Sequence, residues 1–258
     1  MLRLHLIQSS LHWENPGANL KQFEQLIEPL AGKSDLIVLP EMFSSGFTMR
    51  PSAVAEPMDG PSMQWMRRLA KKTDSVITGS LVIERDGRYY NRLIWMRPDG
   101  DYRHYDKRHL FRLAGEENHY AAGDHRFVFE WKGWRIFPLI CYDLRFPVWS
   151  RRTNDFDFDL LVYVANWPER RSAAWQRLLP ARAIENQCYV AGVNRVGADG
   201  NGIPHAGDSV ILDFSGECLA GAQRSQENIL SAGLDREKLH SFRKDFPFWQ
   251  DADGFDLK

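Results

Sequence analysis

The chain has 258 residues, 43% of them hydrophobic and 26% charged, with a formal net charge of −1. These proportions suit a globular enzyme with a substantial core, and they argue against nucleic acid or a membrane surface as the main partner. Three cysteines, Cys141, Cys188 and Cys218, make an odd number without metal-type spacing. They argue against a disulfide framework and favour a reducing compartment.

The first residues alternate, with Leu2, Leu4 and Leu6 apolar, which predicts a strand rather than the long apolar core of a signal peptide. No run approaches the ~18 apolar residues of a membrane span. The expectation is a cytoplasmic protein. Helical spacing of Leu20, Phe23, Ile27 and Leu30 predicts a helix over 15–30. The run 36–39 reads as a strand buried on both faces, and Pro40 stops it, leaving Glu41 at its tip. Pro61 opens a second helix to about Lys72. Strands over 75–84, 88–97 and about 102–107 follow, joined by Asp86-Gly87 and Asp99-Gly100 turns. Further strands are expected at 127–131, 135–140 and 160–165. A helix is expected over 169–186, kinked or interrupted at Pro180. The last strands fall at 188–196, 208–214 and 228–234, and a tail runs from about 236 to 258. Its aromatic and acidic end, from Phe246, has the character of a segment that packs on a neighbour. With no linker or repeat, the pattern implies one α/β domain over 1–258, layered sheets inside and helices outside.

Three strand ends carry chemistry. The stretch Pro138–Pro147, reading Pro-Leu-Ile-Cys-Tyr-Asp-Leu-Arg-Phe-Pro, puts Cys141 where an apolar run breaks into a charged turn. A free thiol has a pKa of ~8.5, so a reactive one needs a base or a cation nearby. Glu41 can supply the base and Lys107 the cation. Singly, these residues read as a small buried hydrophobe, a loop acid and a surface lysine. Together, an acid, an amine and a thiol at strand edges are the parts for nucleophilic attack on an amide. Either Glu116 or Glu117 can hold the Lys107 ammonium in place. Arg145 suits a substrate carboxylate, or else a salt bridge with Asp143 or Glu41. The eight histidines form no zinc-type cluster, and no GxSxG or GxxxxGK motif occurs, so neither a metal nor a phosphate loop is expected.

The segments around Glu41, Lys107 and Cys141 resemble the three signatures of the nitrilase superfamily of carbon–nitrogen hydrolases. Stretches 182–187 and 207–209 match as well, and the resemblance spans about residues 1–235. It implies an α-β-β-α sandwich, usually a homodimer. It implies Glu41 as general base, Lys107 as oxyanion stabiliser and Cys141 as nucleophile, with the Tyr142 backbone N–H at the oxyanion. The family's fourth acid aligns best with Glu116, with Glu117 one residue away. No cofactor is implied. The short chain is similar to the ω-amidase branch, which cleaves 2-oxo acid monoamides such as 2-oxoglutaramate and 2-oxosuccinamate, a chemistry of methionine salvage and glutamine transamination. It implies Arg145 at the substrate carboxylate, with Phe47, Asn166 and Trp167 completing the substrate-binding set. The stretch 166–171 departs from the eukaryotic ω-amidase pattern. The alternatives are an N-carbamoyl amino acid hydrolase or nitrilase of the same superfamily, and a catalytically silent scaffold dimer.

Overall fold

The computed structural model describes residues 1–257; Lys258, the end of the expected tail, lies outside the described residues. The alternating leucines form β1 (Leu2–Gln8). Asn15 caps α1 (Pro16–Ile27) by accepting from the Ala18 amide at 3.1 Å, and Pro16 takes the first helical position. Pro29 cannot continue the α-helical ladder, so the last expected turn tightens into a 3-10 helix over Glu28–Leu30. Next come β2 (Leu36–Val38), α2 (Pro61–Thr73), β3 (Val76–Arg85), β4 (Arg88–Met96) and β5 (Tyr102–Asp106). Between β3 and β4, Asp86 and Gly87 have φ of 53° and 71°, the left-handed pair that a two-residue hairpin requires.

The second half contains β6 (Phe129–Trp131), β7 (Trp134–Ile140), β8 (Leu160–Ala165), α3 (Ser172–Asn186) and β9 (Tyr189–Asn194). Short strands β10 (Val196–Ala198), β11 (Pro204–Ala206), β12 (Val210–Leu212) and β13 (Cys218–Gly221) follow, then β14 (Asn228–Leu234) and α4 (Arg236–Asp245).

Two six-stranded sheets result, in the orders β14-β1-β2-β3-β4-β5 and β13-β12-β9-β8-β7-β6. Leu4, Val38 and Trp95 of the first sheet share one core with Ile136, Val162 and Val193 of the second. On the first sheet's other face, Phe23, Ile27, Met66 and Leu69 of the two N-terminal helices pack on Ile37, Leu39 and Ile77. Helix α3 covers the second sheet through Trp175, Leu179 and Ala183. It sits so close to β9 that a Cβ on Gly192 would lie 2.6 Å from Leu179 Cδ1 and 2.9 Å from Trp175 Cζ2. The four layers are α-β-β-α, as expected.

Some elements differ from expectation. Helix α3 runs unbroken through Pro180, because its buried residues on both sides of the proline are anchored to the sheet. Residues from 236, expected as tail, open with α4. Asp235 caps it, and Arg243 ties it down by donating to the Phe158 and Gln187 carbonyls at 2.6 and 2.8 Å. The β10–β11 hairpin and β13 are strands of three or four residues, too short to show a period in the sequence. Among the described residues, no helix is long and apolar enough to cross a membrane.

Candidate active site

Chain reversals at one end of the two sheets gather the chemistry. Strand β2 runs parallel to its neighbours β1 and β3, as β8 does between β7 and β9. Carboxyl ends of parallel strands are where side chains from several elements converge. Glu41 follows β2, Cys141 directly follows β7, Asn166 directly follows β8 and Lys107 directly follows β5.

Cys141 stands in the left-handed region, with φ of 44°. That conformation costs a residue with a Cβ about 1–2 kcal/mol, so the surrounding turn must enforce it. The Asp143 carboxylate does so. Its Oδ2 accepts from the Ile140 amide at 3.1 Å and from the Tyr105 hydroxyl at 2.7 Å. Its Oδ1 accepts from the His109 amide at 3.0 Å and lies 2.8 Å from the His109 ring. One fully buried carboxylate thus binds the cysteine turn to the loop that carries Lys107.

Above that turn lies a buried ion cluster. The Lys107 ammonium is 2.9 Å from Glu41 Oε1 and 2.9 and 3.0 Å from the two Glu116 oxygens. Asn91, on β4, donates to Glu41 at 2.7 Å and to Glu116 at 3.4 Å. The Phe111 amide donates to Glu116 at 2.6 Å. The Asn166 amide donates to the other Glu41 oxygen at 2.8 Å. Burial disfavours a charged Lys107, but the two carboxylates outweigh it and hold its pKa above the ordinary lysine value. Burial, reinforced by the charge of Glu41, pushes the Glu116 carboxyl up, against the pull of Lys107. Cys141 is pushed well above the usual thiol range, first by burial and then by the Glu41 charge, with Lys107 pulling the other way. That shift favours the thiol over the thiolate, so a nucleophilic role for this sulfur would call on a neighbouring base.

Cys141, Glu41 and Lys107 open onto a cavity of about 230 Å³. That volume suits a ligand of a few carbon atoms. Phe47, Tyr142, Arg145 and Trp167 also line it, as does the β10–β11 hairpin through Asp199, Asn201, Ile203 and His205. The Phe47 ring lies 4.9 Å from the Lys107 ammonium.

The structure brings together every expected site residue and separates the two candidate acids: Glu116 is buried on Lys107, whereas Glu117 is exposed. Asn166, expected at the substrate, lines the cavity but spends its backbone and side-chain N–H groups on Glu41. Arg145 makes no salt bridge with Asp143 or Glu41; its guanidinium lies 4.9 Å from the Trp167 ring centroid. Sequence reading missed Asn91, Asp143 as the anchor of the turn, and Arg171, which also lines the cavity. A lone asparagine within the β4 strand pattern was the available signal for Asn91.

The profile of the carbon-nitrogen hydrolases matches residues 3–244. The chain belongs to the carbon–nitrogen hydrolase family. Among its relatives, the "Omega-amidase YafV" of Escherichia coli (strain K12) is 49% identical, aligned over 99% of this chain and 98% of the relative. The "2-oxoglutaramate amidase" of Bacillus subtilis (strain 168) is 34% identical over 95% of each chain. A crystal structure of XC1258 from Xanthomonas campestris, described as a CN-hydrolase superfamily protein with an arsenic adduct in the active site, superposes with a TM-score of 0.96. It is 47% identical and covers 100% of this carbon–nitrogen hydrolase and 99% of XC1258.

Proposed function

We propose that the chain is a cysteine-dependent ω-amidase that releases ammonia from the terminal amide of small 2-oxo acid monoamides, such as 2-oxoglutaramate and 2-oxosuccinamate. The observation that carries this reading is the thiol of Cys141 beside the Glu41–Lys107–Glu116 cluster, in a small cavity whose wall also carries Arg145. The names of the Escherichia coli and Bacillus subtilis relatives support the substrate class.

The steps follow from the charges. Glu41 takes the thiol proton as the Cys141 sulfur attacks the amide carbon. Negative charge develops on the amide oxygen, where the Lys107 ammonium and the Tyr142 backbone N–H stabilise it. The C–N bond breaks as Glu41 returns the proton to nitrogen, and ammonia leaves a thioester. Water, deprotonated by Glu41, adds to the thioester carbon; the thiolate departs and is reprotonated. The sum is amide plus water to acid plus ammonia, with no net redox change and no cofactor. Glu116 stays bound to Lys107 throughout and keeps the ammonium aimed at the oxyanion. Arg145 binds the distant carboxylate and places the amide at the sulfur. The setting is cytoplasmic salvage of keto-acid amides left by transamination, by a homodimer.

Acid quench during turnover of 2-oxoglutaramate tests the reading. Peptide mass analysis should find Cys141 carrying a 2-oxoglutaryl thioester. Undiminished turnover by the Cys141→Ala variant would overturn it.

A further inference from the structure

Three arginines, Arg145, Arg170 and Arg171, line the cavity, and the mechanism above uses one. Arg171 ends the 3-10 turn Glu169–Arg171 that leads into α3, and it lines the cavity together with Arg145 and Cys141. Its main chain is fixed on both sides. The Arg171 amide donates to the Pro168 carbonyl at 3.0 Å, and the Arg171 carbonyl accepts from the Trp167 indole at 2.8 Å. Its guanidinium lies 4.9 Å from the Phe111 ring centroid, just as that of Arg145 lies over Trp167. Two aromatic walls thus each hold one cation at the same cavity.

The surroundings leave both cations uncompensated. The carboxylates lining the cavity are Glu41 and Asp199. Glu41 is engaged by Lys107, Asn91 and Asn166. Asp199 accepts from the Asn201 and Ile203 amides of its own loop, at 2.8 and 2.9 Å. Among the described residues, neither the Arg145 nor the Arg171 guanidinium pairs with a carboxylate. Arg171 feels that imbalance: burial first, and then the neighbouring charges of Arg170 and Arg145, lower its pKa. A half-buried pair of like charges is a site prepared for an anion.

We propose that Arg171 is a specificity-determining residue: with Arg145 it clamps the carboxylate and adjacent 2-oxo oxygen of the substrate, and it excludes the corresponding 2-amino acid amides by charge repulsion. This inference rests on the ω-amidase reading. A 2-oxo acid presents one negative charge and a neighbouring acceptor oxygen, which matches two donor forks. An amino acid amide such as glutamine puts an ammonium at that same carbon, against two cations with no acceptor between them.

The test is binding without turnover. Calorimetry on the Cys141→Ala variant, with Arg171 intact or changed to Gln or Lys, should use 2-oxoglutaramate, glutamine and pentanamide. The clamp predicts that Arg171→Gln weakens 2-oxoglutaramate at least tenfold, leaves pentanamide unchanged and leaves glutamine unchanged or tighter. Arg171→Lys keeps the charge without the fork. It should lose part of the 2-oxoglutaramate affinity and still exclude glutamine. A uniform loss across the three ligands, or an unchanged ratio of 2-oxoglutaramate to glutamine, would overturn the role. Failure to bind 2-oxoglutaramate with Arg171 intact would overturn it as well. Failure of the ω-amidase reading shows separately, as absence of ammonia release from 2-oxoglutaramate by the unmodified enzyme.

Discussion

Asn166 and Glu41 join the two sheets: the Asn166 backbone amide donates to Glu41 Oε2 at 2.8 Å, and its side-chain amide donates to the Glu41 carbonyl. The asparagine directly follows β8 in one sheet and the acid follows β2 in the other. The position of the proposed base is therefore set by how the sheets dock.

Asn166→Ala keeps the backbone bond and removes the side-chain one. We expect kcat to fall about 10- to 100-fold, because small misplacements of a reacting group are costly. Stability should fall by only about 1–2 kcal/mol, the usual effect of one buried hydrogen bond. Steady-state kinetics beside urea melts check this, and an unchanged kcat would remove Asn166 from the positioning of Glu41.

Asp143→Asn tests the turn beneath the proposed nucleophile. The buried carboxylate holds the Ile140 and His109 amides and the Tyr105 hydroxyl. Losing charge-assisted bonds there should cost about 2–4 kcal/mol, with kcat reduced because Cys141 leaves its left-handed conformation. Tyr105→Phe should cost about 1 kcal/mol. Equal melting points for Asp143→Asn and the parent would contradict this.

How far the sequence discloses the site depends on the kind of signal. Glu41, Lys107 and Cys141 each end an apolar or alternating run, so their strand-end placement is readable. Asn91 and Asp143 are not, because their importance lies in partners 25 to 50 residues away that only the sheets bring near. Arg171 sits in a charged stretch at the start of the helix expected over 169–186, where nothing local sets it apart from a solvated arginine. Helix α4 has few apolar positions, and the β10–β11 hairpin is glycine-rich and short, so neither has a usable period. Pro180 argues locally for a break that packing overrides.

Gly192→Ala should destabilise by about 1–3 kcal/mol, the usual effect of overpacking. The added Cβ meets Leu179 and Trp175, and α3 must move off β9. Thermal melts check it, and a variant as stable as the parent would show that the helix yields freely.

His205 gives a pH dependence. Burial and the Arg195 charge lower its pKa to about 4, from 6.5. Between these values the unfolded chain binds the proton and the folded chain does not, so stability falls as pH falls from 6.5 towards 4. His5 and His104, both lowered first by burial, add to the same slope. His205→Asn should flatten it, as followed by melting temperature against pH. An unchanged slope would show that His205 is protonated without strain.

Ammonia release from 2-oxoglutaramate, glutamine, an N-carbamoyl amino acid and a simple nitrile, by the enzyme and by Cys141→Ala, tests the central claim most directly. The account predicts rapid release from 2-oxoglutaramate, little from the others, and none from the variant. Release confined to the carbamoyl compound or the nitrile, or release that survives loss of the thiol, would contradict it.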